Sequence, residues 1–143
     1  MQSIYPFIKE AHSGWRWILL ILAVAAVIDF AVGLIGKRSF KSIDNRLSLF
    51  FMISCDVQLL LGLLLYFVLS PLTQSAFQNS NMMSDPTARF YAIEHPVIML
   101  LAIAFAHIGR ITSKKAPADR KKFQRGLIWF LLSLILMLSR MPW

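Results

Sequence analysis

At 57% hydrophobic and 15% charged residues, with a mean hydropathy of +0.62, this chain of 143 residues is too apolar to clothe itself in polar surface. A formal net charge of +8 and a pI near 10.2 would suit nucleic acid. However, the basic residues are confined to short segments between long apolar runs, as lipid and topology rules require, so the expected surroundings are membrane lipids and no nucleic acid. The single Cys55 lies inside an apolar run; it excludes a disulfide framework and reads as a small buried hydrophobe.

In chain order, hydropathy predicts spans at about 15–36, 47–69, 93–112 and 124–141. Each has roughly 18–23 residues, enough to cross a ~30 Å hydrocarbon core at 1.5 Å per residue. The apolar stretch Ile18–Ile28 reads as part of a retained span, not as a cleaved signal peptide. Pro71 closes the second span. Short connections make neighbours antiparallel, so the expected fold is all-α: a single-domain, integral membrane, up-down four-helix bundle over 1–143. The polar segment 70–91 is long for a turn and is expected to cover one mouth of the bundle or to meet a partner.

Eleven of the fifteen Lys and Arg residues fall in the 37–46 and 110–125 segments; Lys9, Arg16, Arg89 and Arg140 lie on the other side. The asymmetry places both termini and the 70–91 loop outside the cytoplasm, in a bacterial inner membrane. Trp15, Trp17, Tyr66, Tyr91 and Trp143 then form an outer aromatic belt.

Polar groups are costly in hydrocarbon, so His12, His95, His107, Asp29 and Asp56 each need a reason to be there. At ~100° per residue, His12 shares an azimuth with Arg16, Leu19, Ala23, Ala26, Phe30 and Gly33. His95 shares one with Met99, Ala102, Ala106 and Gly109. Small side chains let helices approach closely, and they also leave room for a planar group against the backbone. His12 and His95 fall at equal depth on diagonal helices, where two imidazoles can take both axial positions of one haem iron. Taken singly, each histidine reads as an interfacial residue; the pair points to metal ligation of a haem b. Arg16, one turn from His12, and Arg140, at the end of span four, are candidates for the haem propionates, because guanidinium binds carboxylate bidentately. Glu94 could orient Arg16 or a ligand imidazole. Asp56 near the centre of span two must be protonated or paired within the bundle, and His107 is a candidate partner for it or for Asp29. Ser54, Gln58, Gly62 and Tyr66 follow at i+4 steps as a packing seam. No catalytic residues are expected: the sequence has no phosphate loop, Cys/His metal cluster or Ser/His/Asp pattern.

His-Ser-Gly-Trp-Arg-Trp at 12–17, Asp-Asn-Arg-Leu-Ser-Leu-Phe at 44–50, Gln-Leu-Leu-Leu-Gly-Leu at 58–63, Arg-Phe-Tyr-Ala-Ile-Glu-His at 89–95, Gly-Arg at 109–110 and Pro-Trp at 142–143 together form a pattern. It resembles a family of small four-helix membrane proteins of Bacteroidetes-type bacteria labelled cytochrome b-like. The resemblance spans nearly the whole chain and implies that His12 and His95 match family histidines. It also implies a histidine two residues before Gln58, where this chain has Asp56. The expected function is a b-type cytochrome-like electron carrier with one haem near the outer face, working with a quinol or other redox partner. The rival is a cofactor-free accessory subunit of a larger membrane complex, and a third reading is a quinone-binding subunit using His and Asp for proton exchange.

Overall fold

The computed structural model describes residues 3–143, and no strand occurs among them. Helix α1 (Tyr5–Ile35) begins about ten residues before the expected boundary, because Pro6 sits in the first turn, where its missing N–H costs nothing. At the other end Lys37 adopts φ 50°, and the Arg38 N–H donates to the Gly33 carbonyl at 3.0 Å. This left-handed reversal stops the helix and turns Arg38 back toward it.

Helix α2 (Ser42–Leu64) starts with the Asp44 carboxylate accepting the Lys41 N–H at 2.7 Å. It continues through a π turn, Leu65–Leu69, and stops before Pro71. The 70–91 segment is not a plain loop. It holds α3 (Pro71–Gln78), capped by Ser70, and α4 (Pro86–Arg89), capped by Asp85, each with proline in its first turn. Ala76, Ala88 and Ala92 bury a small apolar cluster there. A second π turn, Phe90–Glu94, leads into α5 (His95–Lys115), and α6 (Asp119–Ser139) follows.

Four helical units are long and apolar enough to cross a membrane: Tyr5–Ile35, Ser42–Leu69, Pro86–Lys115 and Asp119–Ser139. Helix α1 packs on α2 and α6, and α5 packs on α6 and α2, so α1 and α5 are diagonal in an all-α up-down bundle. Ser133 and Ser113 tie α5 to α6 through bonds to the Ala102 and Lys122 carbonyls, at 2.7 and 2.9 Å.

At the end of the bundle that holds the α1–α2 and α5–α6 turns, the core is a block of aromatic rings. Phe30 lies 5.8, 5.5 and 5.2 Å from Phe40, Phe123 and Phe130, and Phe51 lies 5.3 Å from Phe130. Glycines make room for it. A Cβ on Gly33 would come within 2.5 Å of Phe123, and one on Gly109 within 2.8 Å of Phe130. Lipid tails are as apolar as these side chains, so dispersion between closely fitted surfaces holds this end together.

Gly126→Val should therefore cost about 1–3 kcal/mol, since its side chain would collide with the buried Phe30 ring. Gly14→Ala, with open space around it, should be neutral or stabilising by up to about 1 kcal/mol. Thermal unfolding of the two variants in the same detergent checks the contrast.

Candidate functional site

The structure brings His12 and His95 together across the diagonal, with ring centroids 6.4 Å apart and planes at 83°. A metal-bound imidazole nitrogen sits ~2 Å from its metal, so two imidazoles at this separation could hold one metal ion between them. His95 Nδ1 lies 2.8 Å from the Arg140 carbonyl oxygen. A carbonyl only accepts, so Nδ1 carries the proton and Nε2 keeps its lone pair. On α1, His12 packs against the Gly62 backbone, where a Cβ would stand 3.2 Å from Cε1. Its Nδ1 is buried without a partner. Gln58 Nε2 donates to the His12 carbonyl at 2.9 Å, and Trp15 Nε1 donates to the Ser54 carbonyl at 3.0 Å. The expected seam of Ser54, Gln58 and Gly62 is thus the surface that seats α1.

Arg16 donates from its NH1 to the Pro142 carbonyl at 2.9 Å, while its Nε is buried and unpaired. Arg140 lies at the end of α6 with an exposed side chain, donating to the Ser139 carbonyl. Both arginines therefore flank the histidine pair at the end holding the C-terminal residues. Glu94 does not orient Arg16 or an imidazole; it faces Arg89 at 3.7 Å. Trp15 and Tyr66 are tied into the bundle, whereas Trp17 and Trp143 meet near its edge at 6.2 Å.

The two π turns adjoin this site. Pro96 has no N–H to give the Ala92 carbonyl, its α-helical partner; the Tyr66 hydroxyl donates there at 2.7 Å. One turn is thereby bound to the other. Phe90 stacks on His95, at 5.7 Å and 28°. The sequence offered Pro96 as a signal for this irregularity, but not its consequence for Tyr66 or Phe90.

The stripes below the imidazoles are buried as the helical wheel predicts, yet they do not leave an open groove. Gly33 is filled by Phe123 and Gly109 by Trp129 and Phe130, so the expected room for a planar group does not extend into the aromatic end.

That end holds its own polar groups. Arg38 donates to both Asp44 carboxylate oxygens at 3.0 Å and to Asp29 Oδ1 at 2.9 Å. The hydrogen bond with Asp44 raises the Arg38 guanidinium above its ordinary pKa, so it remains cationic. Arg110 is buried on the Asn45 carbonyl, Asn45 Oδ1 and Ser48 Oγ, at 3.0, 3.1 and 2.7 Å. These clusters were invisible in the sequence, where Arg38 and Arg110 counted only as topology charges. Asp29 thus belongs to Arg38, and His107 Nε2 pairs with Asp56 Oδ1 at 2.7 Å. The pair is not enclosed: the Asp56 side chain is 45% exposed on the α2–α5 seam.

Among the described residues, no three His, Cys, Asp or Glu side chains cluster as a metal site, so the histidine pair stands alone. Comparison with family models, curated proteins and solved structures gives no match.

Either Asp56→Leu or His107→Leu should destabilise by about 1–3 kcal/mol, because each leaves a polar group unpaired within a span. The double variant should recover part of that loss. A double-mutant cycle by thermal unfolding reads this directly; additive losses would show that the bond carries no coupling.

Proposed function

We propose that this chain is a b-type cytochrome-like electron carrier of a bacterial inner membrane, holding one haem b near the outer face. The observation that carries the reading is the pair of imidazoles that meet across the bundle diagonal, with centroids 6.4 Å apart, close enough to hold one iron between them. The donor set fits the group, whereas the stripes below it are closed and α1 and α5 would have to part to admit a porphyrin. His95 has its tautomer set by the Arg140 carbonyl, which leaves Nε2 for metal, and the His12 imidazole and Arg16 Nε have buried polar atoms without partners. Haem would supply reversible one-electron chemistry. His12 and His95 would take the iron, and Arg16 and Arg140 the propionates. Phe90 braces the His95 ring, and Gly62 lets the His12 ring lie against the α2 backbone. Asp56, where the resembled family has histidine, is engaged with His107, so the reading rests on two histidines only. The aromatic block fills the other end, which supports a single haem.

Orientation belongs to the same proposal. The end carrying eleven of the fifteen basic residues faces the cytoplasm, and both termini with α3 and α4 lie outside. The electron partner would be a quinol or a membrane-bound redox protein. A second reading, a cofactor-free accessory subunit of a larger membrane complex, draws support from the half-exposed Asp56–His107 pair, which a partner helix would shield.

Protein purified from cells supplied with haem precursors should show a Soret band with sharp α and β bands on reduction. His12→Ala and His95→Ala should each abolish the low-spin spectrum while the helical content stays unchanged. Unaltered spectra in both variants would show the ligands to be elsewhere. A wild type without haem would leave the accessory-subunit reading in its place.

Reporter fusions after Trp143 should be active only with a reporter that works outside the cytoplasm. Activity confined to a cytoplasmic reporter would reverse the topology.

A further inference from the structure

Beside the histidine pair lies a shallow, open surface depression of about 520 Å³, lined by Pro86, Thr87, Phe90, Tyr91, Pro142 and Trp143. It is formed where α4 and the second π turn meet the chain's last residues. Its walls combine three aromatic rings with two hydroxyl side chains, and neither the Thr87 nor the Tyr91 hydroxyl hydrogen-bonds to another described residue. Of the three rings, Phe90 is the one stacked on His95. Trp143 is 70% exposed at the edge and leans on Trp17. The cleft thus lies at the end of the bundle where the apolar spans give way to the capped helices α3 and α4.

Flat apolar walls select a flat ring, and aromatic pairs favour offset or tilted stacking on it. Hydroxyls that make no bond within the protein are free to donate to a ring bearing carbonyl acceptors. A site at the margin of the spans selects a ligand that reaches it from the lipid. We propose that this cleft binds the headgroup of a membrane quinone, with Trp143 and Phe90 against the ring and the Tyr91 and Thr87 hydroxyls donating to its carbonyl oxygens. An open depression of this size can seat one face of a single substituted ring, leaving the other face exposed. The inference deepens the electron-carrier reading by choosing the quinone among its partners and giving it a seat, and it rests on that reading only for its purpose; the binding itself needs no haem. Phe90 then places the quinone seat one side chain from His95.

The other polar feature open to lipid, the Asp56–His107 pair, is the competing seat. It has an acid and a base but lacks aromatic walls, and its two groups already satisfy each other at 2.7 Å.

The test is titration of the full-length protein in detergent with a decyl-substituted benzoquinone, followed by calorimetry. Trp143→Ala removes an exposed terminal ring, and Tyr91→Phe removes one oxygen, so neither disturbs the bundle. Trp143→Ala should weaken binding ~3–10-fold and Tyr91→Phe ~2–10-fold. The same losses should appear in a His12→Ala background. Binding unchanged in both variants overturns the proposal, as does the absence of saturable binding to wild type. Loss of binding only in Asp56→Leu or His107→Leu moves the site to the α2–α5 seam and equally overturns it. A protein without a haem spectrum that still binds quinone through Trp143 and Tyr91 supports the cleft while refuting the cytochrome reading.

Discussion

Within a bilayer core no water is at hand to satisfy a polar atom, so each one must find its partner in the protein or in a ligand. This constraint divides the molecule. At the end holding the α1–α2 and α5–α6 turns, it is largely met from within. Arg38 joins the last turns of α1 to the first turn of α2 through Asp29 and Asp44, and Arg110 reaches from α5 to Asn45 and Ser48. One atom there, Asp29 Oδ2, is buried without a partner; at the other end four are, His12 Nδ1, Arg16 Nε, Gln58 Oε1 and Ser54 Oγ. Unsatisfied buried donors and acceptors are costly, and four of the five lie on the α1 and α2 residues beside the histidine pair.

Packing reinforces the division. Phe30, Phe51, Phe123 and Phe130 are fully buried and interlock where Gly33, Gly109 and Gly126 admit them. Such a block has little freedom to part, since Phe30, Phe123 and Phe130 each fill the space of a missing side chain on a neighbouring helix. Nearer His12 and His95 the α-helical ladder is broken twice by π turns, which recur at functional sites in helical proteins. The rigid end thus serves as the foundation, and the histidine end carries the irregular backbone.

Helical periodicity made the core legible. Counting from His12 selects Arg16, half-buried, then Leu19, Ala23, Ala26, Phe30 and Gly33, all buried; counting from His95 selects Met99, half-buried, then Ala102, Ala106 and Gly109, all buried. Both counts run along uninterrupted α-helix. What fills those stripes was not legible, because a glycine facing a phenylalanine and a glycine facing a cofactor look alike on a helical wheel. The diagonal meeting of His12 and His95 followed from short connections and equal depth. The partners of Asp29, Glu94 and Arg110 did not, because each depends on a tertiary approach or a chain reversal that hydropathy does not encode. Asp56 was legible as a group needing a partner, but its exposure on the α2–α5 seam was not.

The π turns explain one further feature of the site. Each extra residue in a turn rotates the following helix by ~100° relative to an unbroken one. The second π turn ends at Glu94, so its rotation is complete where His95 begins. Without it, the face carrying Pro86 to Arg89 and the face carrying His95 would stand in a different relation. Phe90 could then not be assumed to stack on the imidazole while also lining the outer cleft. The irregularity is fixed by proline chemistry: Pro96 withholds an N–H, Ala92 offers its carbonyl, and Tyr66 from the other π turn takes it at 2.7 Å. Losing that hydroxyl would therefore loosen the relation between His95 and the cleft before it loosened the bundle.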